Sequence, residues 1–133
     1  MYYHLNRRRL LGWLGLGPAI VVGAPAAVGQ TVRAPVRVLF TRVNGEPYYE
    51  AGTSVPTLAA GDRVVLRREP DNPHDRRAIE VLDARGAKLG YVARIDNSAV
   101  ARMMDAGERF EARIARLNRA TLDIRLEIDW LPA

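Results

Sequence analysis

The sequence predicts a mainly β domain: a small, partly open barrel of five or six short strands with one or two short helices. Three observations point there. After about residue 30, apolar and polar residues alternate at period two in several short segments. Clusters of Gly, Pro, Asn and Asp separate those segments, and only one stretch, near residue 100, carries a helical period. A chain of 133 residues also has room for one domain of ordinary size and not for two.

The elements follow in order. Val36, Val38 and Phe40 alternate with Arg37, Leu39 and Thr41, as a strand reaching about Val43 requires. From Asn44 to Thr57 the chain holds Gly45, Pro47, Gly52 and Pro56, so it reads as loop with at most a short strand around Tyr48 and Tyr49. Asp62 to Arg68 is a second strand, with Val64 and Leu66 on one face. Ala78 to Leu82 is a third, with Ile79 and Val81 inward; Asp83-Ala84-Arg85-Gly86 turns the chain, and Ala87 to Ala93 returns beside it. A helix is expected from Asn97 to Ala106: Asp96 can cap its free amides, Val100, Met103 and Met104 share a face, and Gly107 can end it left-handed. Phe110, Ala112 and Ile114 then line one face of a strand. A turn near Asn118 and Arg119 leads to the cleanest alternation, Leu122, Ile124, Leu126, Ile128 and Trp130 against Asp123, Arg125, Glu127 and Asp129.

Composition narrows the chemistry. There is no cysteine, so disulfides, thiolate metal sites and cysteine nucleophiles are excluded, and the two histidines, His4 and His74, cannot pair into a metal centre. No Gly-rich phosphate loop, Ser/His/Asp set or pair of carboxylates at useful spacing is present, so no catalytic residues, metal or cofactor are expected. The net charge of +5 looks like a nucleic-acid footprint, but 19 of the 20 basic residues are arginine and Arg7, Arg8 and Arg9 lie ahead of every acid. Without the first 26 residues the charge falls to +2, so bulk charge carries little.

Residues 1–26 read as an export signal, with 27–33 a short linker and 34–131 the folded domain. Arg7-Arg8-Arg9 precedes an apolar run from Leu10 to Val22, and Ala24-Pro25-Ala26 offers an A-x-A cleavage site. The run is too short and too interrupted for a stable membrane span. At Asn6-Arg7-Arg8-Arg9-Leu10-Leu11-Gly12 the segment resembles a twin-arginine translocation signal, with Asn6 where Ser or Thr is usual and Gly12 where Lys is usual. The resemblance implies a periplasmic or secreted bacterial protein; a mis-assigned start codon would leave it cytoplasmic.

The most unusual stretch is Arg67-Arg68-Glu69-Pro70-Asp71-Asn72-Pro73-His74-Asp75-Arg76-Arg77-Ala78-Ile79-Glu80-Val81, followed by Leu89-Gly90-Tyr91-Val92-Ala93-Arg94. Two readings of its polar pair stand together. Asn72 and Asp75 in a Pro-bracketed loop are what an Asx-turn needs, each side chain bonding nearby amides. They are equally groups that can meet a ligand's hydroxyl, since a carboxylate accepts and an amide both donates and accepts. The tyrosines Tyr48, Tyr49 and Tyr91 fit half-buried barrel positions or stacking platforms, and the arginines fit solvated faces or phosphate contacts.

In this stretch the chain resembles the HIRAN domain family, which carries an E-P-x-N-x-x-D loop running into A-I/V-x-V, a G-Y-V-P-R-like strand, and a helix ending in glycine. Ala93 stands where the family has proline, His74 where it has tyrosine, and Pro47 where DNA-binding members often have a basic residue. The resemblance implies an OB-like barrel and a non-catalytic nucleic-acid-binding module that captures the free 3′ end of single-stranded DNA. Carried over residue by residue, it implies Tyr48 as the stacking aromatic and Asn72 and Asp75 as the polar pair, with His74, Arg76 and Arg94 beside them and Arg67, Arg68 and Arg77 flanking. The export signal favours a different partner, in which the same barrel serves as an interaction domain for another protein, a peptide or a cell-wall fragment.

Overall fold

The computed structural model describes residues 33–45, 52 and 55–133. The expected signal peptide 1–26, most of the linker 27–33, and Pro47, Tyr48 and Tyr49 lie outside the described residues. Six strands form one antiparallel ring: β1 (Val36–Asn44), β2 (Arg63–Arg68), β3 (Ile79–Leu82), β4 (Lys88–Val92), β5 (Arg109–Asn118) and β6 (Asp123–Leu131). An α-helix, α1 (Asn97–Asp105), connects β4 to β5, and a 3₁₀ turn covers Val55–Thr57. The order around the ring is β1-β4-β3-β2-β5-β6, and the ring is closed, which leaves no edge strand to template aggregation. Two seams are thin: β1 meets β4 only through Val43 with Val92 and Asn44 with Tyr91, and β2 meets β5 only through Arg63 with Arg113 and Val64 with Ala112. These seams are as near as the barrel comes to the partial opening expected from sequence.

The clean alternation of β6 does what it promises. Ile124, Leu126 and Ile128 are fully buried, and they meet Val43, Ile79, Val81, Leu89, Val92 and Ile114 in one core. Each such side chain contributes about 1.5–3 kcal/mol through removal from water. In β1 the alternation at Val36, Val38 and Phe40 misleads, because these three face solvent while Leu39, Thr41 and Val43 turn inward. The cause is the pairing with β6, whose register shifts between Arg37 and Leu39 and sets Thr41 opposite Leu126. In β3 all four residues are buried, not only Ile79 and Val81. Glu80 survives there through Arg67 (2.6 Å) and Lys88 (3.1 Å).

The helix forms where its period requires, but its ends differ from expectation in one respect. Gly107, at φ 87, continues the chain left-handed, and its N–H and that of Glu108 close on Met104 and Met103. Asp96 makes no side-chain cap; its carboxylate accepts the Thr41 hydroxyl at 2.8 Å and ties the helix start to β1. Toward the core the helix presents Val100 and Ala101 buried, with Met104 packed alongside.

Candidate nucleic-acid interface

A cleft of about 350 Å³ opens beside the β1–β4 seam, lined by Asn44, Gly45, Asn72, His74, Asp75, Ala78, Tyr91, Val92 and Arg94. That volume is at the low end for small-molecule sites, where roughly 300–1,000 Å³ is usual, so it suits one ligand unit rather than a length of polymer. Four of the residues singled out from sequence, Asn72, His74, Asp75 and Arg94, meet in it. Arg76 lines a separate depression on the loop with Pro70, Asp71, Asn72 and Pro73. Tyr48 lies outside the described residues.

The loop between β2 and β3 owes its shape to Asn72. Its Oδ1 accepts the backbone N–H of His74 (2.9 Å) and of Asp75 (3.2 Å), an Asx-turn. Its Nδ2 donates to Glu69 Oε2 (3.0 Å) and to the Tyr91 hydroxyl (3.3 Å). A side-chain amide has two donors and two acceptor lone pairs, and all are engaged here. Asn72 therefore builds the wall of the cleft. Asp75 is different. One oxygen accepts the Arg77 N–H (2.9 Å) and the other the buried Asn97 amide (2.7 Å), so each keeps a lone pair. Its side chain is 13% exposed.

The electrostatics hold that carboxylate ionised. Burial works to raise the pKa of Asp75, but the Arg77 N–H, the Asn97 amide and the charges of Arg94 and Arg77 outweigh it, and the net shift is downward. Glu69 follows the same logic: burial opposes ionisation, while Asn72, Tyr91 and Lys88 overcome it. Tyr91 is pushed up by burial and by Glu69, so it stays protonated and donates to Glu69 at 2.8 Å. Lys88 donates to the Tyr91 hydroxyl at 2.7 Å and sits 4.2 Å from the ring centroid.

A pH dependence follows. Carboxylates whose folded pKa is depressed add stability that is complete above the unfolded values, about 3.9 for Asp and 4.3 for Glu, and that is lost as pH falls through the folded ones. Asp75, Glu69 and Asp83 all belong to this class. The thermal midpoint should therefore hold down to about pH 5 and drop steeply below about pH 4, with a shallower drop in Asp75→Asn. Calorimetry across that range checks it; equal acid slopes would remove Asp75 from the account.

The flanking arginines do not behave as one group. Arg67 is bound to Glu80, and Arg77 donates to Ser98 Oγ at 2.7 Å. Arg68 grips both oxygens of Asp105 (2.9 and 3.0 Å) and the carbonyls of Ala78 (2.7 Å) and Arg76 (3.0 Å), clamping the loop to α1. Arg94 is exposed and pairs with no carboxylate among the described residues, which leaves its guanidinium free at the cleft. One contributor carries no mark in the sequence: Asn97 stands at the first position of a helix, where nothing signals a buried partner for Asp75. Tyr91, named from sequence as a half-buried barrel residue or a stacking platform, is half-buried, and its hydroxyl accepts from Asn72 and donates to Glu69.

Among the described residues no group of three or more His, Asp or Glu is placed to hold a metal ion, and no helix is long and apolar enough to cross a membrane.

Known proteins resemble this chain in sequence and fold. The HIRAN domain family matches residues 36–130. Over 44 residues, 33% of this chain, the sequence is 43% identical to the helicase-like transcription factor of Mus musculus, of which that stretch spans only 4%. The structure is similar to that of a protein from Lactobacillus plantarum, with a TM-score of 0.71 and 34% identity over 75% of this chain and 98% of that one. It is similar in fold to the HIRAN domain of human HLTF, with a TM-score of 0.61 and 24% identity over 72% of this chain and 78% of that one. The E-P-x-N-x-x-D loop, the glycine-tyrosine strand and the closed barrel thus have one explanation: the chain belongs to the HIRAN domain family.

Proposed function

We propose that this domain binds single-stranded nucleic acid by its 3′ end, with the terminal nucleotide seated in the cleft at the β1–β4 seam. The observation that carries the reading is the pairing of Asp75 and Arg94 in one cleft sized for a single unit. Asp75, ionised and with lone pairs to spare, accepts the proton of a 3′-hydroxyl. Arg94, without a carboxylate partner among the described residues, meets the preceding phosphate. His74 offers a ring at the rim, and Tyr48 is the aromatic that the family resemblance assigns to the terminal base, where stacking contributes about 1–3 kcal/mol.

The same geometry predicts discrimination. A 3′-phosphate would set a dianion against the Asp75 carboxylate, a like-charge contact that selects against the wrong end. Fluorescence anisotropy with the full chain and a short oligonucleotide at low salt should show the 3′-hydroxyl form bound at least tenfold more tightly than the 3′-phosphate form. Equal affinity for both ends would sink the end-capture reading, and no binding to either would return the cleft to a non-nucleic-acid ligand. The export reading is a separate proposal: residues 1–26 direct the chain out of the cytoplasm and are removed after Ala26. Mass spectrometry of the protein recovered from a bacterial periplasm tests it, and an intact Met1 there would overturn cleavage.

A further inference from the structure

Several arginines on the barrel are held by acids. Arg37 is bound to Asp129 and Glu127, Arg63 and Arg113 to Glu111, and Arg85 to Asp83. One group stands out by its alignment. The register sets Arg42 of β1 opposite Arg125 of β6, and Arg125 opposite Arg116 of β5, so three arginines lie in a row across three adjacent strands. At a strand spacing of about 4.8 Å, the row is roughly 10 Å long between its outer backbones. Arg125 has Asp123 at 3.1 Å, but Arg42 and Arg116 are exposed and pair with no carboxylate among the described residues. Like charges directly opposite one another destabilise a sheet. A row kept at that cost offers an aligned site for an anion.

The row has a neighbour and a direction. Phe40, two residues before Arg42 on the same outward face, is 57% exposed. Its acidic cross-strand neighbour Glu127 is already held by Arg37. Asn44, two residues after Arg42 on that face, lines the cleft. The Arg42 carbonyl accepts the Ala93 N–H at 3.0 Å, which holds β1 beside the residue that precedes Arg94. Phe40, Arg42 and Asn44 thus form one continuous ridge that ends at the cleft, and an aromatic beside free cations is how single strands are bound without sequence preference.

We propose that the outer face of β1, with the arginine row that crosses from it to β5, is a track for the body of a single nucleic-acid strand, with phosphates on Arg42 and Arg116 and one base stacked on Phe40. The proposal rests on the end-capture reading for its direction, with the 5′ part leading away from the cleft, and adds a second contact surface to it.

The test uses the full chain and fluorescent thymidine octamers ending in a 3′-hydroxyl or a 3′-phosphate. Arg42→Gln combined with Arg116→Gln should weaken both octamers by the same factor and flatten the salt dependence. For a single strand, each phosphate left without its arginine lowers the slope of log affinity against log salt by about 0.7. Phe40→Ala should cost roughly fivefold or more on both octamers with the slope unchanged. Arg109→Gln, at the far end of β5, changes the charge at a site off the track and serves as the control. All four residues are exposed, so the thermal midpoints should not fall below wild type. An end preference in wild type, with track variants no weaker than Arg109→Gln, would overturn the track and leave the cleft reading intact. Track variants that weaken binding in a protein blind to its 3′ end would support the track and overturn end capture. No binding by wild type would overturn both.

Discussion

Gly90→Ala should be the most damaging single substitution in the barrel, lowering stability by about 3–5 kcal/mol. A Cβ at that position would stand 2.4 Å from the Asn44 carbonyl oxygen and 2.7 Å from Val43 Cγ1, and the backbone is at φ 149. The nearest atom is main chain, so no rotamer change relieves the contact, and β1 must move off β4 instead. That seam is held by two residue pairs, Val43 with Val92 and Asn44 with Tyr91, and the clash falls on both residues of β1 that form it. For a domain near 100 residues each kcal/mol shifts the thermal midpoint by roughly 4–8 °C, so a fall of at least about 12 °C is expected. Gly86→Ala separates the causes. Gly86 is also at positive φ, 87, but a Cβ there meets nothing within 4 Å, so it carries the conformational cost alone, about 1–2 kcal/mol. Equal midpoints for the two variants would show that close approach of β1 to β4 contributes nothing.

That seam also marks where the sequence stops being legible. Strands and helix could be read because their signals are local: the alternation at Ile124, Leu126 and Ile128 and the helical face at Val100 and Met104 are consequences of backbone period. Which face of β1 turns inward could not be read, because Val36, Val38 and Phe40 alternate as well as Leu39, Thr41 and Val43 do. The choice was made by the register with β6, a non-local fact. The candidate site divides the same way. Asn72 and Asp75 stood out because a Pro-bracketed Asn and Asp have few local uses, and both the Asx-turn and the cleft position are realised. Their partners come from further along the chain, Tyr91 on β4 for Asn72 and Asn97 on α1 for Asp75, and the local pattern does not join them. Among the arginines, only the structure separates Arg68, spent on Asp105 and two carbonyls, from Arg94, which faces the cleft.

The division of labour between Asn72 and Asp75 predicts a split that one assay cannot show and two can. Asn72→Ala removes the acceptor for two backbone N–H groups and the donor to Glu69 and Tyr91. Unmade hydrogen bonds in half-buried surroundings should cost about 1–3 kcal/mol of stability, and the loop that carries Asp75 should lose its fixed shape. Asp75→Asn keeps an oxygen for the Arg77 N–H and nearly the same volume, so its cost to folding should be near ~1 kcal/mol. Asn97 can accommodate it, since its buried Oδ1 has no partner and a turn of that amide presents an acceptor to the new Nδ2. Binding should rank the two by a different rule. Without its charge Asp75→Asn loses an ionic hydrogen bond worth about 1.5–3 kcal/mol, so affinity for a 3′-hydroxyl end should fall at least tenfold while the 3′-phosphate end, no longer repelled, binds as well or better. Asn72→Ala should weaken both ends and retain part of the preference between them. Thermal midpoints read beside anisotropy on the two oligonucleotides decide the matter: an Asp75→Asn variant that keeps the wild-type preference for the hydroxyl would show that this carboxylate only shapes the loop, as Asn72 does.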